Sequence, residues 1–161
     1  MIVVADTGPL HYLILLDHAE LLHRFYGEVV VPEAVATELV SSSTPEAVRD
    51  WMSHHPSWLR IVAVDAERLE DVTDELDLGE RAAIALAGVI HADLLLIDEA
   101  AGRAEAKRRN LRVTGTLGVL RAAAELRLVD VSDVIARLKR TSFYADDTLL
   151  KSAFGGWLES P

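Results

Sequence analysis

Apolar residues fall along this chain in two alternating patterns. Ile2-Val3-Val4-Ala5, Val29-Val30-Val31, Leu59 to Val64 and Leu94 to Ile97 are short and wholly or almost wholly apolar. Such runs read as strands, the first buried on both faces and the second buried as well. Between them lie longer stretches in which apolar residues recur every three or four positions, as on one face of a helix. Leu10, Leu13, Ile14, Leu21, Leu22 and Phe25 follow that rule with a slip near Asp17-His18. This predicts one helix over Leu10 to Tyr26 or two short ones, ended by Gly27. Further helices are expected over Glu33 to about Val40, from Pro45 to about His54-His55, and over Gly79 to His91, Ala100 to Asn110 and Thr116 to Leu126. Leu111-Arg112-Val113 reads as a fifth short strand, and the acidic stretch Asp65 to Asp77 as helix plus loop. The serine run before Pro45 is loop-like. Thr44 or Ser43 is expected to cap the helix after it, and Thr116 the helix it opens. Val131 to Leu158 reads as helices separated near Phe143 to Asp146. Strands alternating with helices predict an α/β fold with a parallel sheet covered on both sides.

The 161 residues suit a single domain, 1–161, with the last helices (about 131–161) an extension that packs on it or on a partner. Half the residues are hydrophobic, so a packed core is expected. The absence of cysteine excludes disulfides and thiolate chemistry and suits a reducing cytoplasm. Met1 leads directly into the first strand, so a signal peptide is not expected. No apolar run is long enough to span a bilayer. The net charge of −10 runs against a nucleic-acid binder, which is normally basic. Those acids fit a solvated surface, a basic partner, or carboxylates gathered round a cation.

Four acids stand where a site could form. Asp6 and Asp98 each end an apolar strand, and in open α/β sheets ligands bind at such carboxyl ends. Each can equally cap the helix that follows. Glu38 shares a helix stripe with Val35 and Leu39, and Glu80 with Ala83, Ile84 and Ala87, which brings both to inward or marginal positions. Glu38 can instead reach water from the stripe's margin, and Glu80 can serve the positive end of its helix. If all four converge, they repel one another and call for a cation. Oxygen ligands select Mg²⁺ or Mn²⁺ over zinc. Such a centre can activate water and steady an in-line displacement at phosphorus.

The stretches V-V-A-D-T-G-P-L (Val3–Leu10), V-V-V-P-E-A-V-A-T-E-L (Val29–Leu39), L-D-L-G-E-R-A-A-I-A-L-A (Leu76–Ala87) and L-L-L-I-D-E-A-A-G-R (Leu94–Arg103) resemble, in order, the PIN-domain nucleases. The last two, with V-T-G-T-L-G-V-L (Val113–Leu120), are most similar to a DUF3368-like branch close to the VapC-type toxins. The resemblance implies a three-layer α/β/α sandwich with a mainly parallel sheet of about five strands. It also implies a Mg²⁺- or Mn²⁺-dependent ribonuclease, the toxin of a toxin–antitoxin pair, with RNA, an antitoxin protein and a second copy of itself as partners. Asp6, Glu38, Glu80 and Asp98 match the family's acidic quartet, as catalytic and metal-holding residues. Many relatives carry Asp where this chain has Glu80. Asp77 and Glu99 are supporting acids, and Thr116 can orient a water or phosphate. Arg103, Lys107, Arg108, Arg109 and Arg112 cluster after Asp98 as a phosphate track or an ordinary solvated face, with Arg103 nearest the acids in sequence. Arg137, Lys139 and Arg140 form a later basic group.

Rival chemistries lack their parts. Asp6-Thr7-Gly8 spells the aspartic-protease triplet, but that class is β-rich. A phospho-acceptor domain would want a lysine where Val113-Thr114-Gly115 stands. No glycine-rich nucleotide loop is present. The alternative of another class is a PIN-like module with a weak or inactive site, acting through protein contacts.

Overall fold

The computed structural model describes residues 1–158; the end of the expected C-terminal extension, 159–161, lies outside the described residues. Strand β1 (Val3–Ala5) is followed by helices α1 (Thr7–Leu15) and α2 (Glu20–Tyr26), then β2 (Val29–Pro32). Helices α3 (Glu33–Leu39) and α4 (Glu46–Ser53) lead to β3 (Leu59–Val62). Then come α5 (Ala66–Glu70), α6 (Leu78–Val89), β4 (Leu94–Leu96), α7 (Ala100–Arg108) and β5 (Val113–Thr114). Helices α8 (Thr116–Glu125), α9 (Val131–Leu138) and α10 (Asp147–Leu158) follow. The five strands make one sheet, all parallel, in the order β3-β2-β1-β4-β5. Helices on both faces complete the three-layer α/β/α fold.

Successive strand side chains point to opposite faces, and the sheet divides the core accordingly. Val3, Ala5, Val29, Val31 and Leu96 pack with α1, α2 and α8 on one face. Val4, Val30, Leu95 and Ile97 pack with α6 and with Ala106 of α7 on the other. Val134, Ile135 and Leu138 of α9 and Leu150 and Phe154 of α10 join the first core, so both helices pack on the body of the protein. The chain leaves β1 towards β2 and β3, then returns to the other side of β1 as β4. The carboxyl ends of β1 and β4 therefore flank the switch point at which open α/β sheets hold their ligands.

Several local expectations change in the folded chain. The slip at Asp17 is a real break, with Asp17 left-handed at φ 60°, which separates α1 from α2. Thr44 does not cap α4. Its hydroxyl donates to the carbonyl of Glu38 at 2.8 Å and closes the end of α3 instead. The third strand stops at Val62 rather than Val64. The fifth is Val113–Thr114 rather than Leu111–Val113, because its ladder is fixed by pairing with Leu95 and Leu96.

Candidate active site

Asp6 leaves β1 at its carboxyl end, and its amide donates to the carbonyl of Leu96 at 2.9 Å, extending the ladder by one residue. By pleat alternation its side chain takes the same side as Val4, facing α6. Asp98 lies just beyond β4 with the opposite parity, facing the start of α8. There the Thr116 amide donates to Asp98 Oδ1 and the Thr116 hydroxyl to Oδ2, each at 2.7 Å. Thr116 is wholly buried. It is thus the first residue of α8 and a clamp on Asp98, not a helix cap; Gly115 occupies the cap position. Neither Asp6 nor Asp98 is recruited as a side-chain cap, since Asp6 makes no capping bond and Glu99 precedes α7.

The glutamates arrive from helices. Glu80 stands in the first turn of α6 with 7% of its surface exposed, as its spacing with Ala83, Ile84 and Ala87 requires. Asp77 caps α6, its Oδ1 accepting from the Glu80 amide at 2.8 Å. Glu38 is exposed on α3, yet it is held in place by the Thr7 hydroxyl, which donates to its Oε2 at 2.8 Å. Gly79 is the meeting point. A methyl group there would lie 3.0 Å from Glu38 Oε2, 3.3 Å from Thr7 Oγ1 and 3.4 Å from Asp6 Oδ1. Asp6, Glu38 and the start of α6 therefore converge, with Glu80 one residue along the same helix and Asp98 across the switch point.

The electrostatics follow from this crowding. Burial pushes the Asp6 carboxyl up to about 7; the Thr7 amide opposes that, and the charges of Asp77, Glu38 and Asp98 add to it. Burial also raises Glu80, helped by a hydrogen bond with Asp77 and by the charges of Asp77 and Asp6. Asp98 is raised by burial too, against the two bonds from Thr116 and the Arg103 guanidinium, with Glu99 adding repulsion. Asp6 Oδ1 and Glu80 Oε2 are buried without any hydrogen-bond partner. A buried carboxylate oxygen in that state needs a proton or a cation. The donor set is entirely hard oxygen, which suits Mg²⁺ or Mn²⁺. The fit is one of chemistry rather than of a finished shell: among the described residues no three acidic or histidine side chains are arranged to coordinate an ion.

The sequence-predicted cations separate. Arg103, half-buried in the second turn of α7, donates from Nη1 to the Ile97 carbonyl at 3.4 Å and lies beside Asp98. Helix α7 runs from the site edge of the sheet to the opposite edge. Lys107 and Arg108 in its last turn are therefore carried about 10 Å away along the axis. Arg108 and Arg109 bind the buried Glu105 there. The basic cluster after Asp98 is thus not one track, and Arg103 alone of the three proposed nucleic-acid contacts stays with the acids. Glu99 is exposed at the edge. The residues that sequence reasoning overlooks are Thr7 and Gly79. Both adjoin a candidate acid in the chain, and that adjacency was the available signal.

Thr116 supports one direct test. Thr116→Val keeps the shape but removes the hydroxyl from Asp98 Oδ2. Chemical denaturation at neutral pH should show a loss of about 1.5–3 kcal/mol, the range for a bond to a charged group.

No curated protein and no solved structure matches the chain. The family model of DUF3368, described as a PIN domain, matches residues 2–157. That span includes every strand and all four acids, and it reaches into α10. The chain belongs to the PIN-domain family, a nuclease fold.

Proposed function

We propose that the protein is a metal-dependent endoribonuclease that hydrolyses RNA phosphodiester bonds, the VapC-like toxin of a toxin–antitoxin pair. The observation that carries this reading is the pair of buried, unpartnered oxygens on Asp6 and Glu80, set among further acids at the switch point. Asp6, Glu38, Glu80 and Asp98 hold Mg²⁺ or Mn²⁺. Bound there, the ion supplies Lewis acidity, a more acidic water and charge neutralisation at phosphate. Thr116 fixes both oxygens of Asp98, and Thr7 fixes Glu38. Asp77 holds the first turn of α6, and with it Glu80, in register. Arg103 is the cation beside the acids and takes a non-bridging phosphate oxygen. Residues 1–161 act as one unit in the cytoplasm, as a homodimer silenced by an antitoxin. No helix among the described residues is long and apolar enough to cross a membrane.

Glu80, with its longer arm in the third acidic position, favours a second reading: a weak or inactive PIN-like module acting through protein contacts. Metal titration separates the two. A ligand at 100 times its Kd stabilises the folded state by about 2.7 kcal/mol, and each kcal/mol is worth roughly 2–4 °C at this size. A nuclease should therefore melt roughly 5–10 °C higher in saturating Mn²⁺ and cut RNA only with the ion present. No shift and no cleavage across structured and unstructured RNAs would leave the module reading standing.

A further inference from the structure

Gly102 lies in the first turn of α7, buried, where its backbone approaches α6. A methyl group at this position would stand 2.6 Å from Glu80 Oε2 and 2.6 Å from Ile97 Cδ1. Its φ is not left-handed, so the backbone conformation does not require glycine. Helix propensity favours alanine at such a position. Only close approach argues for glycine, and one of the two groups that approach is the buried, unpartnered oxygen of a candidate metal ligand.

We propose that Gly102 is a positioning residue that allows a glutamate, in place of an aspartate, to serve at position 80. The notch it leaves in α7 accommodates the extra methylene of the longer side chain. An aspartate at position 80 would end about one carbon–carbon bond short of the notch and would have no need of it. This rests on the reading of Glu80 as a metal ligand given above. Position 102 thereby becomes a determinant of which acid the site can use.

The experiment measures Mn²⁺ affinity by calorimetry on the intact protein, with Gly102→Ala, Glu80→Asp, Ile97→Val and the combined variants. Gly102→Ala should bind Mn²⁺ at least about 10-fold more weakly, the usual consequence of disturbing a ligand's support. Placed in the Glu80→Asp background, the same change should alter Kd by less than about threefold, a non-additivity that marks direct coupling. Unchanged affinity in Gly102→Ala overturns the proposal. So does rescue by Ile97→Val rather than by Glu80→Asp, which would make Gly102 a packing residue. If Gly102→Ala alone does not fold, the combination with Glu80→Asp decides: a folded, Mn²⁺-binding double variant supports the proposal and an unfolded one overturns it. A wild-type protein that binds no Mn²⁺ would instead bring down the reading of the site itself.

Discussion

Asp6→Asn should reduce RNA cleavage by about three orders of magnitude and, in the metal-free protein, raise the melting temperature. The first effect corresponds to about 4 kcal/mol of transition-state stabilisation, within the several kcal/mol that a bound ion contributes. The second follows from burial. Asp6 is 5% exposed, Oδ1 has no partner, and Asp77, Glu38 and Asp98 repel its charge. A neutral amide of the same shape escapes that repulsion and can donate to a neighbouring carboxylate. A gain of about 1–2 kcal/mol would move the melting point by roughly 2–8 °C. Cleavage assays and thermal melts in chelator test the two halves independently. A variant that loses activity and also stability would show that Asp6 is held by contacts within the protein, and would count against an ion site.

The metal-free protein should become less stable as the pH rises from 5 to 8. In the unfolded chain Asp6 ionises near its ordinary value of 3.8, whereas in the folded protein it holds its proton up to about 7. Folding between those values takes up a proton. The stabilisation is complete below about pH 4 and is lost as the pH passes through about 7. Glu80 and Asp98 are raised as well and act in the same direction. Glu105, held low by Arg109 and Arg108, has the opposite sign, but its contribution disappears only at acid pH, below this window. A shift of about three units is worth at most about 4 kcal/mol, or on the order of 10 °C in melting temperature. Asp6→Asn should flatten the slope, and saturating Mn²⁺ should reverse it, since the ion favours the ionised carboxylates. A flat profile in the wild type would mean that Asp6 and Glu80 are solvated.

β1 and β2 were legible because a strand covered on both faces must be apolar throughout, as Val3-Val4-Ala5 and Val29-Val30-Val31 are; the edge strands β3 and β5, only partly covered, were misplaced at their ends. Glu80 was legible in part: its spacing with Ala83, Ile84 and Ala87 put it on the apolar side of its helix, and the fold leaves it 7% exposed. Glu38 was harder to place. It lies at the margin of its stripe and is exposed, and only the hydroxyl of Thr7, thirty-one positions away in the chain, ties it to the site. Thr44 and Thr116 were misread as caps because local pattern cannot foresee a better acceptor arriving from elsewhere, the Glu38 carbonyl for one and Asp98 for the other. Lys107 and Arg108 stand in the last turn of α7, and periodicity gives a helix its faces but not its direction. Only the sheet topology shows that α7 departs from the acids.

The position of β1 has a consequence for how the molecule is made. Residues 3–5 form the middle strand, yet one neighbour is at 29–30 and the other at 94–96. As the chain leaves the ribosome, its first strand must wait for some ninety residues before its second side is covered, and Asp98 gains its threonine only when Thr116 follows. Closing so long a loop makes assembly slow relative to local helix formation. No fragment ending before α8 contains both Asp98 and the threonine that holds it, so this end of the sheet is completed late in synthesis.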